Sequence, residues 1–109
     1  MAALSGPARM SAVAVAKVSD VRPGTAKVVI VAGRPVALFN VGGTIYATDN
    51  TCLHRGGPIG EGVLEGTCVT CPWHGWEYDV RTGQNLGNPA AKLRTYQVVV
   101  EDDDVTVLS

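Results

Sequence analysis

The chain has 109 residues, 46% of them hydrophobic and 17% charged, which is typical of one small globular domain. Nine Lys and Arg residues against ten Asp and Glu residues give a net charge of -1, so no basic surface favours a nucleic-acid partner. No apolar run approaches the roughly 20 residues that a membrane-spanning helix needs, so we expect no membrane partner.

Taken in chain order, residues 1–12 are predicted to be a disordered leader and residues 13–109 one domain. Within that domain short β-branched runs alternate with turn signals, and no stretch has the periodicity of a helix. Gly42-Gly43 predicts a tight hairpin, and Gly33-Arg34-Pro35 predicts a second turn. The predicted strands cover residues 13–19, 25–32, 36–41, 44–48, 67–71, 76–80, 93–100 and 105–108.

Three irregular stretches interrupt these strands, at residues 50–62, 72–75 and 84–91. Many short strands at this spacing indicate an all-β sandwich or barrel. The first two irregular stretches hold or adjoin nearly all the Cys and His residues of the chain. Loops on a rigid sheet are where chemistry usually lies, so these two stretches are the candidate site.

Both histidines of the chain belong to one pattern, Cys52-Leu53-His54 followed by Cys71-Pro72-Trp73-His74. Two thiolates and two imidazoles suit either tetrahedral zinc or a mixed-ligand iron–sulfur cluster. The mixed Cys/His pairs and their glycine-rich flanks favour the cluster, because glycines let backbone N–H groups approach bridging sulfides. An odd count of three cysteines argues against a secreted disulfide scaffold, so we expect a cytoplasmic protein.

This pattern resembles the signature of Rieske [2Fe–2S] proteins. From about residue 13 to residue 107 the chain is similar to the small Rieske ferredoxins of multicomponent ring-hydroxylating dioxygenases and to related small oxidoreductase subunits. Besides the ligand motif, the stretches that carry the resemblance are residues 42–47, 52–58, 60–62, 71–76, 81–83 and 87–89.

The resemblance implies an all-β Rieske iron–sulfur fold, an antiparallel β-sandwich with a small inserted cluster-binding subdomain at about residues 50–76. It implies one [2Fe–2S] cluster per chain, with the thiolates of Cys52 and Cys71 on one iron and the imidazoles of His54 and His74 on the other. Residues 87–91 match the loop that covers the cluster from a third side in this family.

The chain also departs from the high-potential members of the family. Gly57 and Trp73 stand where those proteins have a pair of disulfide-forming cysteines, and Trp76 replaces a serine that can donate to a cluster sulfide. Tyr78 stands where a tyrosine hydroxyl can donate to a cysteine sulfur. We therefore predict a midpoint potential in the lower half of the family range of about −150 to +300 mV.

Cys68 and Cys71 also form a C-x-x-C spacing, which would suit a redox or zinc motif. The alternative is that Cys68 is a small apolar residue of the strand before the second loop, which we favour because free cysteines are commonly buried. Trp73 and Trp76 are expected to pack around the second loop.

The function predicted from the resemblance is one-electron transfer from a flavin-containing reductase to a terminal oxygenase or similar oxidoreductase. The chain itself is not expected to be an enzyme, because it has no nucleotide-binding glycine fingerprint and no histidines left for a second iron. Two alternatives remain: a small Rieske subunit held permanently in a larger reductase or oxidase, and a structural zinc-binding module.

Overall fold

The computed structural model describes residues 14–53, 56–73 and 75–108. In these ranges the chain forms nine strands in two antiparallel sheets, ordered β1-β9-β8-β4-β3-β2 and β5-β6-β7. The all-β prediction is confirmed. The strands are β1 Ala14–Lys17, β2 Ala26–Val31, β3 Arg34–Val41, β4 Thr44–Asp49, β5 Val63–Glu65, β6 Cys68–Thr70, β7 Glu77–Asp79, β8 Thr95–Glu101 and β9 Asp104–Leu108.

Strand β3 separates two hydrophobic cores. Val36 and Leu38 point into the core of the six-stranded sheet, whereas Ala37 and Phe39 point into a second core beneath the three-stranded sheet. Successive side chains of a strand alternate between its faces, so a strand that is apolar at consecutive positions can serve both cores. The second core contains the candidate site; its buried members are Ala37, Phe39, Cys52, Ile59, Val69, Cys71, Tyr78, Val80 and Leu93.

Pro35 helps to direct the chain from the large sheet into the first loop. Just past the end of β4, the Asn50 N–H donates to the Pro35 carbonyl at 3.1 Å. Proline has no N–H to return that bond. The Asn50 carbonyl instead accepts from the Ile59 N–H at 2.8 Å, and its side-chain oxygen accepts from the Gly60 N–H at 2.7 Å. These bonds tie the two ends of the first loop together.

Several strand boundaries differ from the prediction. Val18–Asp20 is a 3₁₀ turn rather than the end of the first strand, and its Ser19 hydroxyl donates to Asp103 at 2.6 Å. Strand β3 begins at Arg34, so the predicted turn at residues 33–35 lies one residue earlier, at Ala32 and Gly33. Strand β5 was not predicted, because Gly62 and Gly66 flank it and glycines at that spacing indicate a loop.

Among the described residues, no helix is long and apolar enough to cross a membrane. The predicted leader at residues 1–12 lies outside the described residues. A separate cluster-binding subdomain at about residues 50–76 stays a prediction.

Candidate metal centre

Each predicted ligand loop is closed by the same two backbone hydrogen bonds. In the first loop the Cys52 N–H donates to the Gly57 carbonyl at 2.9 Å, and the Gly56 N–H donates to the Cys52 carbonyl at 2.8 Å. In the second loop Cys71 makes the equivalent bonds to the Trp76 carbonyl at 2.8 Å and from the Gly75 N–H at 3.1 Å. The two loops therefore share one backbone frame around their cysteines.

The fourth position after each cysteine is a glycine in the left-handed region. Gly56 has φ +74° and Gly75 has φ +76°. A side chain at either position would strain the backbone, so the pair of glycines makes the shared loop frame possible. The glycine-rich flanks seen in the sequence thus have a conformational role in addition to any contact with sulfides.

The cysteines of the two loops are brought into one core. Cys52 is 3% exposed and Cys71 is 2% exposed, and neither is in a disulfide. Gly57 of the first loop lies against the second loop: a Cβ built on it would be 2.8 Å from Cys71 Sγ and 3.0 Å from Trp73 Cγ. The loops thus converge, and they do so where a side chain larger than hydrogen has no room.

Tyr78 is the central residue of β7, and its side chain reaches the sulfur of Cys52 in the first loop. Its hydroxyl lies 3.3 Å from Cys52 Sγ and accepts a hydrogen bond from the Leu53 N–H at 3.2 Å. The contact that the resemblance suggested for Tyr78 is therefore present. Burial raises the pKa of Tyr78 to about 12, so its hydroxyl keeps its proton at neutral pH.

The third irregular stretch is organised by Asn85, which the sequence did not single out. Its side-chain oxygen accepts from the Gly87 N–H at 2.8 Å and from the Asn88 N–H at 2.9 Å. The Leu86 N–H donates to the Glu77 carbonyl at 2.9 Å, which fixes this stretch beside β7. A buried Asn in a turn gives no distinctive sequence signal, since Asn is common in turns for local reasons.

Cys68 lies on the other face of β6 from the site. Its neighbour Val69 points into the second core, and alternation places the Cys68 side chain on the solvent face, where it is half-buried. Burial, together with the carboxylates of Glu77, Glu65 and Asp79, raises the pKa of the Cys68 thiol. The C-x-x-C spacing therefore does not bring the Cys68 and Cys71 thiols to one point.

The two tryptophans differ in their packing. Trp76 is half-buried and packs against the second core, as expected. Trp73 is 56% exposed, so the expectation that it packs is wrong for most of its surface. One edge of its indole lies next to Gly57.

The described residues fit the cysteine half of a mixed-ligand cluster. They supply two buried cysteines on converging loops, a close contact between the loops that Gly57 allows, and a neutral O–H donor beside one sulfur. A sulfur that carries negative charge on a metal is stabilised by such a donor. His54 and His74, with Arg55, lie outside the described residues, so their place in the ligand set stays a prediction.

Comparisons with known proteins agree with this site. The profile of the Rieske [2Fe–2S] domain family matches residues 11–97. The chain is 42% identical over 84 residues to the ferredoxin component of the naphthalene 1,2-dioxygenase/salicylate 5-hydroxylase systems of Ralstonia sp., covering 76% of this chain and 81% of that protein.

Two solved structures are also similar to the chain. The ferredoxin of carbazole 1,9a-dioxygenase from Nocardioides aromaticivorans IC177 superimposes with a TM-score of 0.84 at 31% identity, over 90% of this chain and 97% of that one. A complex of reduced oxygenase and oxidized ferredoxin in carbazole 1,9a-dioxygenase matches with a TM-score of 0.82 at 35% identity, over 90% and 93% of the two chains.

Proposed function

Because the chain belongs to the Rieske [2Fe–2S] domain family, we propose that Cys52, His54, Cys71 and His74 hold its cluster and that a terminal oxygenase receives its electrons. The chain is an electron carrier of the kind named as ferredoxin components of dioxygenase systems, and not itself an enzyme. When bound, the [2Fe–2S] cluster accepts and releases one electron. The observation that carries the ligand assignment is the convergence of two identically closed loops on Cys52 and Cys71.

The residues around the site have separable roles in this proposal. Gly56 and Gly75 allow the loop frame that presents the ligands, and Gly57 allows the two loops to approach each other closely. Tyr78 supplies a hydrogen-bond donor to the Cys52 sulfur. The second core keeps water from the cysteines, which lowers the local dielectric and strengthens that hydrogen bond.

We place the docking surface for partner proteins on the same loops. Each of the three irregular stretches exposes one large apolar side chain, Leu53, Trp73 and Leu86. Exposed apolar side chains at loop tips are typical of surfaces that bind other proteins. Trp73 is the residue we expect to contribute most, because aromatic side chains dominate the energetics of interfaces.

The partners follow from the named relatives. The solved complex pairs such a ferredoxin with its oxygenase, and the naphthalene relative is one component of a multicomponent system. These relatives support an oxygenase of the ring-hydroxylating class as electron acceptor, and we propose a flavin-containing reductase as donor, as the family resemblance implies. Its cytoplasmic location remains part of the same proposal.

Reconstitution tests this function directly. The reductase and oxygenase of a naphthalene dioxygenase system, and separately of a carbazole dioxygenase system, are assayed without their own ferredoxin. Adding this chain is expected to restore oxygenated product in at least one system, and the Cys71→Ser variant is not. Failure in both systems by a protein that carries its cluster would contradict the dioxygenase role and favour a permanent subunit of another complex.

A further inference from the structure

The Tyr78 hydroxyl can make one donated and two accepted hydrogen bonds, and three groups surround it. Cys52 Sγ lies at 3.3 Å and the Leu53 nitrogen at 3.2 Å. The Asn85 side chain is the third group that acts on this hydroxyl, and it lowers the pKa of Tyr78 as a hydrogen-bond donor does. A cysteine that binds metal is a thiolate and has no proton to give. If the Leu53 N–H and the Asn85 side chain both act as donors, Cys52 Sγ is the acceptor toward which the hydroxyl proton points.

Asn85 presents its amide NH₂ group to Tyr78. The amide oxygen is identified by its partners, because the Gly87 and Asn88 backbone N–H groups both donate to it, at 2.8 and 2.9 Å. Asn85 is buried and faces Tyr78 across a β-bridge. With its oxygen held by the loop, the group that remains for Tyr78 is the NH₂, which is a donor only.

We propose that Asn85 is a positioning residue for Tyr78: its NH₂ group faces the hydroxyl oxygen from across the β-bridge and, together with the Leu53 N–H, directs the hydroxyl proton to Cys52 Sγ. The inference rests on the proposed binding of the cluster by Cys52. A hydrogen bond to a ligand sulfur stabilises the reduced state, which carries one more negative charge. Asn85 therefore raises the midpoint potential by acting through Tyr78.

A double-mutant cycle with Tyr78→Phe tests this inference. Asn85→Ser keeps a side-chain oxygen that can accept from the following N–H groups, but it loses the NH₂ donor. We expect Asn85→Ser to lower the midpoint potential of the cluster-loaded protein in the same direction as Tyr78→Phe. In the Tyr78→Phe background the same substitution is expected to cause no further shift, because no hydroxyl remains to be oriented.

Asn88→Ser is the matched control. Asn88 is exposed in the same loop, and its side-chain oxygen accepts from the Ala90 N–H at 3.2 Å. The substitution makes the same chemical change to the same loop, so it is expected to leave the potential unchanged in both backgrounds. A shift as large as that of Asn85→Ser would overturn the inference, since it would assign the effect to the loop.

Asn85→Asp is a second variant for the case that the serine variant loses its cluster. Aspartate keeps an oxygen for the loop N–H groups, and its charge lowers the potential in either background. The amount by which the potential shift is larger in the protein with Tyr78 than in the Tyr78→Phe protein then measures the effect of orienting the hydroxyl. Equal shifts in both backgrounds would overturn the inference. If the unsubstituted protein lacked the electron paramagnetic resonance (EPR) signal of a mixed-ligand cluster, the ligand assignment itself would be contradicted.

Discussion

The two ligand loops have the same backbone frame but different surroundings for their sulfurs. In both, the cysteine N–H donates to the carbonyl five residues later, and the N–H four residues later donates to the cysteine carbonyl. The sulfur of Cys52 lies beside the Tyr78 hydroxyl, whereas that of Cys71 lies against Gly57 and close to Trp73. Loop geometry and the midpoint potential are therefore controlled by different groups. The backbone hydrogen bonds position the ligands, and the groups around each sulfur adjust the potential.

Removing either sulfur is expected to have the largest effect, and the same effect in both loops. Cys52→Ser and Cys71→Ser should each abolish stable cluster binding, because thiolate is the preferred ligand of iron–sulfur clusters. The loss should exceed the roughly 10- to 100-fold typical of residues that only support a ligand. Iron and sulfide content of the purified variants measures it. Full loading of either variant would remove that cysteine from the ligand set.

Adding a side chain at the close contact between the two loops is expected to have the next largest effect. Gly57→Ala places a Cβ 2.8 Å from Cys71 Sγ and should destabilise the protein by about 1–3 kcal/mol, the usual cost of overpacking. Thermal unfolding and cluster content measure the effect.

Gly87→Ala is the control for that substitution. Neither glycine is in the left-handed region, and the nearest atom to a Cβ at Gly87 is 3.4 Å away. Because only the available space differs, the Gly87 variant should be close to neutral. Equal stability of the two variants would contradict the tight contact between the loops.

Tyr78→Phe distinguishes the two loops electronically. It removes the donor beside Cys52 but leaves the frame of both loops, so we expect the cluster to remain and the midpoint potential to fall. A differential hydrogen-bond energy of about 1 kcal/mol corresponds to roughly 40 mV for a one-electron couple. Protein-film voltammetry measures the shift. An unchanged or higher potential would mean that the hydroxyl does not stabilise the reduced state.

Cys68→Ala is expected to have the smallest effect. Cys68 lies on the solvent face of β6, so its loss should leave cluster content, absorption spectrum and potential unchanged. In the unsubstituted protein its raised pKa keeps the thiol protonated at neutral pH, so alkylation by iodoacetamide should be slow. Loss of the cluster in this variant would add Cys68 to the ligand set and end the equivalence of the two loops.

The sequence predicted the sheet better than it predicted the contacts around the site. β-branched runs and the Gly42-Gly43 turn located β2, β3 and β4 because these strands follow local rules. The roles of Gly57 and Asn85 were not predictable, because each depends on a residue that is distant along the chain or hidden in a turn. Tyr78 was recognised only through the family resemblance. The face of β6 on which Cys68 lies could be assigned only from the structure, which shows that its neighbour Val69 points into the core.

The most direct test of the central claim, that the two loops hold one cluster with mixed Cys and His ligands, is the low-temperature EPR spectrum of the dithionite-reduced protein. We predict a rhombic signal whose average g lies clearly below the free-electron value, as expected for unequal ligands on the two irons. The signal of an all-cysteine cluster, or colourless protein with stoichiometric zinc and no signal, would contradict it.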